Sequence, residues 1–149
     1  MTDSRIAKLI DFYHLLTPEA VARMGDFYVH DAYFKDPFNE VNELVEIQRI
    51  FRHMFVALND VKFNVSETIA QESGVVLIWD FTFRIKKYKP EILQRIRGVS
   101  HIRFNAEGKV NYHRDYWDAA EELYEKLPLV GGLIKNKKGV AVECGQKKG

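Results

Sequence analysis

The 149 residues, 46% of them hydrophobic, fit one domain that is large enough to bury a substantial core. Lysine and arginine total 22 against 21 for aspartate and glutamate, so the net charge gives no reason to expect nucleic acid or an anionic membrane as the main partner. A soluble protein is expected, since the amino terminus mixes charges into its apolar positions and no apolar run approaches the roughly 20 residues that span a bilayer. One cysteine, Cys144, cannot form an internal disulfide, which favours a cytoplasmic location.

Helical patterns occupy the first half of the chain. Residues 6–13 place apolar side chains at helical spacing and predict a first helix. Thr17-Pro18-Glu19 predicts the start of a second helix, because threonine can cap free amides and proline has no amide to leave unpaired, and the apolar side of this helix continues to Tyr28. The Asp-Pro step that follows must leave helical geometry, so residues 32–36 are predicted as a short strand ahead of a longer helix over residues 42–58.

The second half changes to the period of two that half-buried strands show. Apolar and polar residues alternate over residues 61–66, and every odd position from Val75 to Ile85 is apolar. Two further strands, over residues 96–104 and 109–117, are predicted to meet at a turn over residues 105–108.

A sequence in which helices come first and a run of strands follows is typical of the α+β class. We therefore expect a strongly curved antiparallel sheet wrapped around about three N-terminal helices, with a cavity at the open end of the sheet. A short C-terminal helix is predicted over residues 119–126. The single domain is predicted to cover residues 1–134, because no repeat or linker divides the chain, and the Lys- and Gly-rich residues 135–149 are predicted to form a flexible tail.

Several short motifs carry a family resemblance through their order and spacing. They are Tyr33-Phe34-Lys35-Asp36-Pro37-Phe38, Ile78-Trp79-Asp80-Phe81, Arg103-Phe104-Asn105-Ala106-Glu107-Gly108-Lys109-Val110 and Arg114-Asp115-Tyr116-Trp117-Asp118. With them the chain resembles SnoaL-like proteins of the superfamily named for nuclear transport factor 2, over most of its length. The resemblance implies a cone-shaped α+β fold around a small-molecule cavity. It implies no single activity, because the superfamily includes ketosteroid isomerases, polyketide cyclases, limonene-epoxide-hydrolase-like enzymes and members that only bind or assemble.

The resemblance to ketosteroid isomerases concerns three residues. Asp36 matches their general base, although an aspartate before proline also commonly caps a turn through local backbone bonds. Tyr13 lies where they carry an oxyanion-hole tyrosine, and the alternative is a ring packed at the end of an apolar stripe. Ser100 replaces the protonated aspartate that serves them as a second donor. Because serine is a much weaker acid, the implied oxyanion hole is incomplete.

A second resemblance, to limonene-epoxide-hydrolase-like enzymes, rests on His113-Arg114-Asp115-Tyr116-Trp117-Asp118. It implies that Asp115 belongs to a set of two carboxylates and an arginine that activates water and protonates an epoxide. The residues that match the partner arginine and aspartate are Ile78 and Asp80, so the arginine is missing. Alternation along that strand also places Asp80 opposite the core-like face of Trp79.

His113 and Asp115 share one face of the last strand, because residues two apart in a strand point the same way. An imidazole and a carboxylate within reach of each other suit acid and base roles near neutral pH. The alternative is a buried structural network in which Asp115 holds a tyrosine or a backbone amide. A metal site with Asp36 is a further alternative, but one histidine with scattered carboxylates falls short of a ligand-spacing signature. No cofactor is expected.

The predicted site has three catalytic candidates, Asp36, His113 and Asp115. Its ligand-binding candidates are Tyr13, Trp79, Ser100, Phe104 and Trp117. Two functions fit it: a cofactor-independent acid/base enzyme acting on an apolar, oxygenated small molecule, and a non-catalytic binding or accessory module. The mixed outer face of the sheet around Val76 and Ile78 predicts a homodimer through the sheet, which would cover that apolar patch.

Overall fold

The computed structural model describes residues 3–124. Those residues contain six strands, β1 (Tyr28–Lys35), β2 (Glu40–Val41), β3 (Leu58–Gln71), β4 (Gly74–Ile85), β5 (Gln94–Phe104) and β6 (Val110–Tyr116). They form one curved, unclosed sheet in the order β2-β1-β6-β5-β4-β3. The predicted α+β class is confirmed.

One pairing departs from the predicted antiparallel sheet. β1 runs parallel to β6, with Phe34 opposite His113 and Lys35 opposite Arg114, whereas the other strand pairs are antiparallel. The sheet is therefore mixed. Parallel neighbours need a crossover connection, and here the chain crosses from β2 to the far edge of the sheet before it returns through β3, β4, β5 and β6.

The helices are α1 (Ser4–His14), α2 (Pro18–Val21) and α3 (Leu44–Ala57), and no helix within residues 3–124 is long and apolar enough to cross a membrane. The side chain of Thr17 caps α2 by accepting a hydrogen bond of 3.1 Å from the amide of Ala20. The predicted second helix, however, does not reach Tyr28. It ends at Val21, and after a 3₁₀ turn the chain enters β1, of which Tyr28 is the first residue.

β4 lies near the middle of the sheet and shows its two faces most clearly. Five of its six odd residues, predicted to face the core, are buried: Val75, Leu77, Trp79, Phe81 and Phe83. The sixth, Ile85, is half-buried at the end of the strand and packs against the core. Its even residues form a half-buried outer face. The predicted turn between the last two long strands is also present, where Gly108 adopts a φ of +82°, a conformation that glycine accepts without steric cost. The core therefore lies on the face of the sheet that carries the odd residues of β4.

Residues 118–124 belong to a unit separate from residues 3–117. In that short unit, residues Ala120–Tyr124 form a π-helical turn, and the side chain of Asp118 accepts a hydrogen bond of 3.1 Å from the amide of Glu121. The predicted domain end at residue 134 and the predicted tail, 135–149, lie outside the described residues. Both stay predictions.

Candidate functional site

A continuous chain of hydrogen-bonded side chains runs through the core. In order, its members are Tyr13, Tyr28, His113, Asp115, Ser100 and Trp79. They come from five elements, and every member except Asp115 is buried. The chain therefore contains, between buried members on either side, one carboxylate that retains some access to solvent.

His113 occupies the middle of this chain because β6 lies between β1 and β5, which enclose its inward side chains on both sides. The Nδ1 atom of His113 lies 2.7 Å from the hydroxyl of Tyr28, and its Nε2 atom lies 2.6 Å from Oδ1 of Asp115. The ring of Phe34 meets the imidazole edge-on at 4.8 Å. Both ring nitrogens are thus occupied by fixed partners.

On its other side, Asp115 accepts a hydrogen bond from Ser100, whose hydroxyl in turn accepts one from Trp79. Ser100 faces Asp115 across the β5–β6 pairing, and its hydroxyl donates to Oδ1 of Asp115 at 2.5 Å. The indole N–H of Trp79 donates to the Ser100 hydroxyl at 2.8 Å. This geometry depends on Gly98, which lies opposite Trp79 on β5, because a Cβ atom there would come within 2.6 Å of the indole ring. A glycine leaves the space that the indole occupies.

The two phenols at the buried end of the chain are neutral. The hydroxyls of Tyr13 and Tyr28 lie 2.5 Å apart. Burial raises the pKa of both tyrosines well above the ordinary value of 10.0, because a phenolate would lose its hydration there. Each phenol therefore keeps its hydrogen at neutral pH and acts as a hydrogen-bond donor.

Aromatic rings form the apolar surroundings of the chain. Phe63 stacks on Phe81 with ring centroids 4.4 Å apart, and it meets Tyr13 and Trp79 edge-on at 5.7 and 6.2 Å. Such rings supply large apolar surfaces at little conformational cost. Tyr13 and Trp79, at the two ends of the hydrogen-bonded chain, therefore pack against hydrocarbon surface.

Asp36 makes its hydrogen bonds outside the network of six side chains. Its Oδ1 atom accepts hydrogen bonds from the backbone amides of Phe38 and Asn39, at 2.8 and 2.7 Å, and from the Asn39 side chain at 3.1 Å. These contacts are those of a turn cap, the alternative role that the sequence offered. A catalytic role for Asp36 stays a prediction.

Two ligand-binding candidates also lie outside the chain. The ring of Phe104 lies under the guanidinium of Arg5 at 4.7 Å, and Trp117 meets Phe38 edge-on at 5.6 Å. Both are half-buried, and both pack against the core. Ligand contact by Phe104 or Trp117 stays a prediction.

The outer face of the sheet holds Asp80, as alternation predicts. Its Oδ1 atom pairs with Arg95 on the neighbouring strand, 2.9 Å from Nη2. The residue that matches the hydrolase carboxylate in sequence is thus engaged in an ion pair on the face opposite Trp79. Within residues 3–124, no group of three or more His, Cys, Asp or Glu side chains is arranged to hold a metal ion.

Tyr28 is the member of the chain that the sequence pattern missed. Its position in a helical stripe made it look like an ordinary apolar-face residue, and its partner His113 is separated from it by 85 positions. The available signal was chemical: a tyrosine that is fully buried needs a partner for its hydroxyl.

Comparison with known proteins gives the family. Residues 9–113 match the family model described as SnoaL-like domain. The chain belongs to the SnoaL-like domain family. The match spans α1 through the middle of β6, so it includes most of the hydrogen-bonded chain and ends at His113. No curated protein matches the sequence.

Solved structures show the same fold at low sequence identity. A protein from Shewanella putrefaciens assigned as a SnoaL-like polyketide cyclase is 17% identical, with a TM-score of 0.67 over 83% of this chain and 98% of that one. AclR from Streptomyces galilaeus, assigned as a hydroxylase, is 20% identical, with a TM-score of 0.65 over 83% and 95%. A protein with a ketosteroid isomerase-like fold from Catenulispora acidiphila, in complex with trimethylamine, is 13% identical, with a TM-score of 0.68 over 83% and 92%. These likenesses establish the fold.

Proposed function

We propose that this SnoaL-like protein carries out general acid/base chemistry on an apolar, oxygenated small molecule, without a cofactor. The observation that carries the proposal is the position of Asp115. Its side chain is 17% exposed, whereas the His113 side chain bonded to it is 3% exposed. Both arms of the buried hydrogen-bonded chain thus meet at one partly exposed carboxylate, and a positioned carboxylate of this kind can serve as a general base.

The proposed step is the transfer of a proton from the ligand to Asp115. A C–H bond beside a carbonyl group, or an O–H bond, would break, and its electron pair would stay on the ligand as an enolate or an alkoxide. The carboxylate would become a carboxylic acid and return the proton at another position. Isomerisation, ring closure and hydration all contain a proton transfer to a base, and the relative assigned as a polyketide cyclase supports chemistry of this kind.

The proposed ligand is apolar, because the side chains that surround the hydrogen-bonded network are apolar. The aromatic rings of Phe63, Phe81 and Trp79 offer stacking surfaces, and Asp115 is the one carboxylate among the six side chains of the hydrogen-bonded chain. A cavity on this face is part of the proposal.

A binding or accessory module is the alternative that a specific observation favours. The polar side chains of the network satisfy one another, and the residues that would complete a known isomerase or hydrolase site are replaced, by Ser100 and Ile78. A network of that kind stabilises a core even without turnover.

Hydrogen–deuterium exchange separates the two functions. A library of apolar ketones, phenols and epoxides is incubated in D₂O with the wild-type protein and with Asp115→Asn, and NMR follows both binding and loss of ligand hydrogens. We expect at least one compound to exchange with wild type, and the rate to fall by about 10²-fold or more in the variant while binding persists. Compounds that bind both proteins equally, with no exchange or turnover by either, would overturn the enzyme proposal in favour of the binding module.

We also propose that the protein forms a homodimer through the outer face of the sheet. Tyr116 is 45% exposed there and Ile69 61%, and the half-buried Val76, Ile78 and Val99 lie between them. Covering this apolar surface would favour association. Sedimentation should show a dimer for wild type and a monomer for Ile78→Asp, and a wild-type monomer at high concentration would refute the proposal.

The proposed location is the cytoplasm, which the single cysteine supports.

A further inference from the structure

The hydrogen-bond chain has a direction that follows from counting its hydrogens. Two of its groups have fixed roles: the indole of Trp79 can only donate, and an ionised carboxylate can only accept. Because the Ser100 oxygen accepts from Trp79, the Ser100 hydrogen is free to donate to Asp115. This arm of the chain therefore points towards Oδ1 of Asp115.

Among residues 3–124, the partners of the other arm satisfy it in one direction only. If Tyr13 donates to Tyr28, and Tyr28 donates to Nδ1 of His113, then the imidazole hydrogen lies on Nε2 and donates to Asp115. Each of the five hydrogens in the chain then has an acceptor. Every hydrogen of this arm is used in a hydrogen bond, and the arm also ends on Oδ1 of Asp115.

Reversal of that arm leaves a buried hydrogen without a partner. If Nδ1 of His113 carried a hydrogen, Tyr28 would have to accept it and donate to Tyr13. The hydrogen of Tyr13 would then need a further acceptor, and none lies within hydrogen-bond distance among residues 3–124. An unsatisfied buried donor is strongly disfavoured.

A proton on Asp115 does not rescue the reversed arm. A carboxylic acid at Asp115 could donate to Nε2 of His113, but the hydrogen of Tyr13 would still lack an acceptor among residues 3–124. Both donors, from Ser100 and from His113, bind Oδ1. The other carboxylate oxygen of Asp115, Oδ2, accepts no hydrogen bond from residues 3–124.

We propose that Tyr28, supported by Tyr13, is a positioning residue that holds His113 as the neutral tautomer with its hydrogen on Nε2 and so leaves Oδ2 of Asp115 as the proton acceptor of the site. The catalytic consequence of this inference rests on the proposed function. The inference also gives His113 and Asp115 different roles. His113 fixes and polarises the carboxylate without exchanging a proton itself. Tyr28 touches no ligand, and its effect passes through His113.

The tautomer is measured directly by NMR of the full-length protein labelled with ¹⁵N, with the His113 signals identified by their loss in His113→Gln. We expect an amine-type Nε2 and an imine-type Nδ1 in wild type at neutral pH. In Tyr28→Phe, the Nδ1 signal should move towards that of an imine nitrogen without a donor. A hydrogen on Nδ1 in the wild-type protein, alone or together with one on Nε2, would overturn the proposal before any variant is made.

Tyr33→Phe is the matched control, since it removes the same hydroxyl from the same strand. Its hydroxyl binds the exposed Glu40 at 2.6 Å, outside the chain, so the His113 signals should stay unchanged. Where a compound exchanges with wild type, Tyr28→Phe should lower the limiting rate about threefold to tenfold, the effect of one neutral hydrogen bond, with unchanged KM. If Tyr28→Phe shifts the Nδ1 signal of His113 but leaves the exchange rate unchanged, the catalytic consequence is refuted. If neither the wild type nor any variant exchanges a ligand hydrogen, that result counts against the proposed function, whereas the tautomer result is independent of it.

Discussion

A methyl group at position 98 should disturb the site from a distance, because Gly98 leaves the space that the Trp79 indole fills. A Cβ built at Gly98 would lie 2.6 and 2.8 Å from two atoms of that ring and 3.0 Å from Cβ of Trp117. Carbon atoms in proteins pack at about 3.5–4.0 Å, so the ring would have to retreat by about 1 Å. Gly98→Ala is therefore expected to tilt the indole and to weaken its bond to Ser100.

The expected cost can be set from the two effects together. Overpacking a well-filled core costs about 1–3 kcal/mol, and a weakened neutral hydrogen bond adds about 0.5–1.5 kcal/mol. We expect Gly98→Ala to lower the free energy of unfolding by about 2–4 kcal/mol. Urea unfolding, followed by far-ultraviolet circular dichroism, measures the change. Tryptophan fluorescence should shift to longer wavelength in the folded variant as the indole of Trp79 loses its place.

Gly25→Ala provides the control, because a Cβ there would meet only Leu44, at an ordinary contact distance of 3.5 Å. Its stability should stay within about 1 kcal/mol of wild type. If Gly98→Ala unfolds at the same urea concentration as Gly25→Ala, the indole does not occupy the described position and the reasoning about Trp79 and Ser100 fails.

Three further predictions concern buried or half-buried polar groups. Ser100→Ala leaves the indole N–H of Trp79 buried without an acceptor and should cost about 1–3 kcal/mol of unfolding free energy in urea, whereas a cost near zero would show that the indole finds another partner. Burial raises the pKa of Tyr13 and Tyr28, so their contribution to stability is complete below pH 10 and is lost as the pH rises, because the unfolded phenols ionise first. Stability should fall above pH 10 by about 1.4 kcal/mol per pH unit for each of the two tyrosines, and a Phe variant of either that keeps the full wild-type slope would contradict this. Burial, reinforced by an adjacent arginine, lowers the pKa of His101 below 6.5, so stability is complete above that pH and decreases as the pH falls below it. Urea unfolding at pH 7 and pH 5 should show a smaller loss in His101→Gln than in wild type, and equal losses would refute the assignment.

Local patterns in the sequence were sufficient to predict the long strands and half of the site. Alternation placed Trp79 on the core face and Asp80 on the outer face, and a spacing of two put His113 beside Asp115. These features depend on the geometry of one strand, where neighbours in sequence fix which way a side chain points. They could therefore be predicted without knowledge of the partners.

The features that the sequence did not predict depend on contacts between distant segments. Tyr28 pairs with Val110 in the sheet and bonds to His113, so neither its strand nor its role is visible from residues near it. The early end of α2 has the same origin, because tertiary pairing of β1 outweighed the helical spacing of apolar residues. Register between distant strands is set by burial of whole faces, which no local window contains.

The parallel neighbours β1 and β6 have a consequence for the order in which the protein folds. Strands β3 to β5 are joined by short connections and can pair as local hairpins, but β1 gains its long neighbour only when β6 is complete. Contacts that close long loops form late because the chain must first lose the entropy of closure. A nascent chain that lacks residues 110–116 therefore leaves β1 without that neighbour and the phenol of Tyr28 without its imidazole. The hydrogen-bonded chain can therefore be completed only once β6 is in place beside β1.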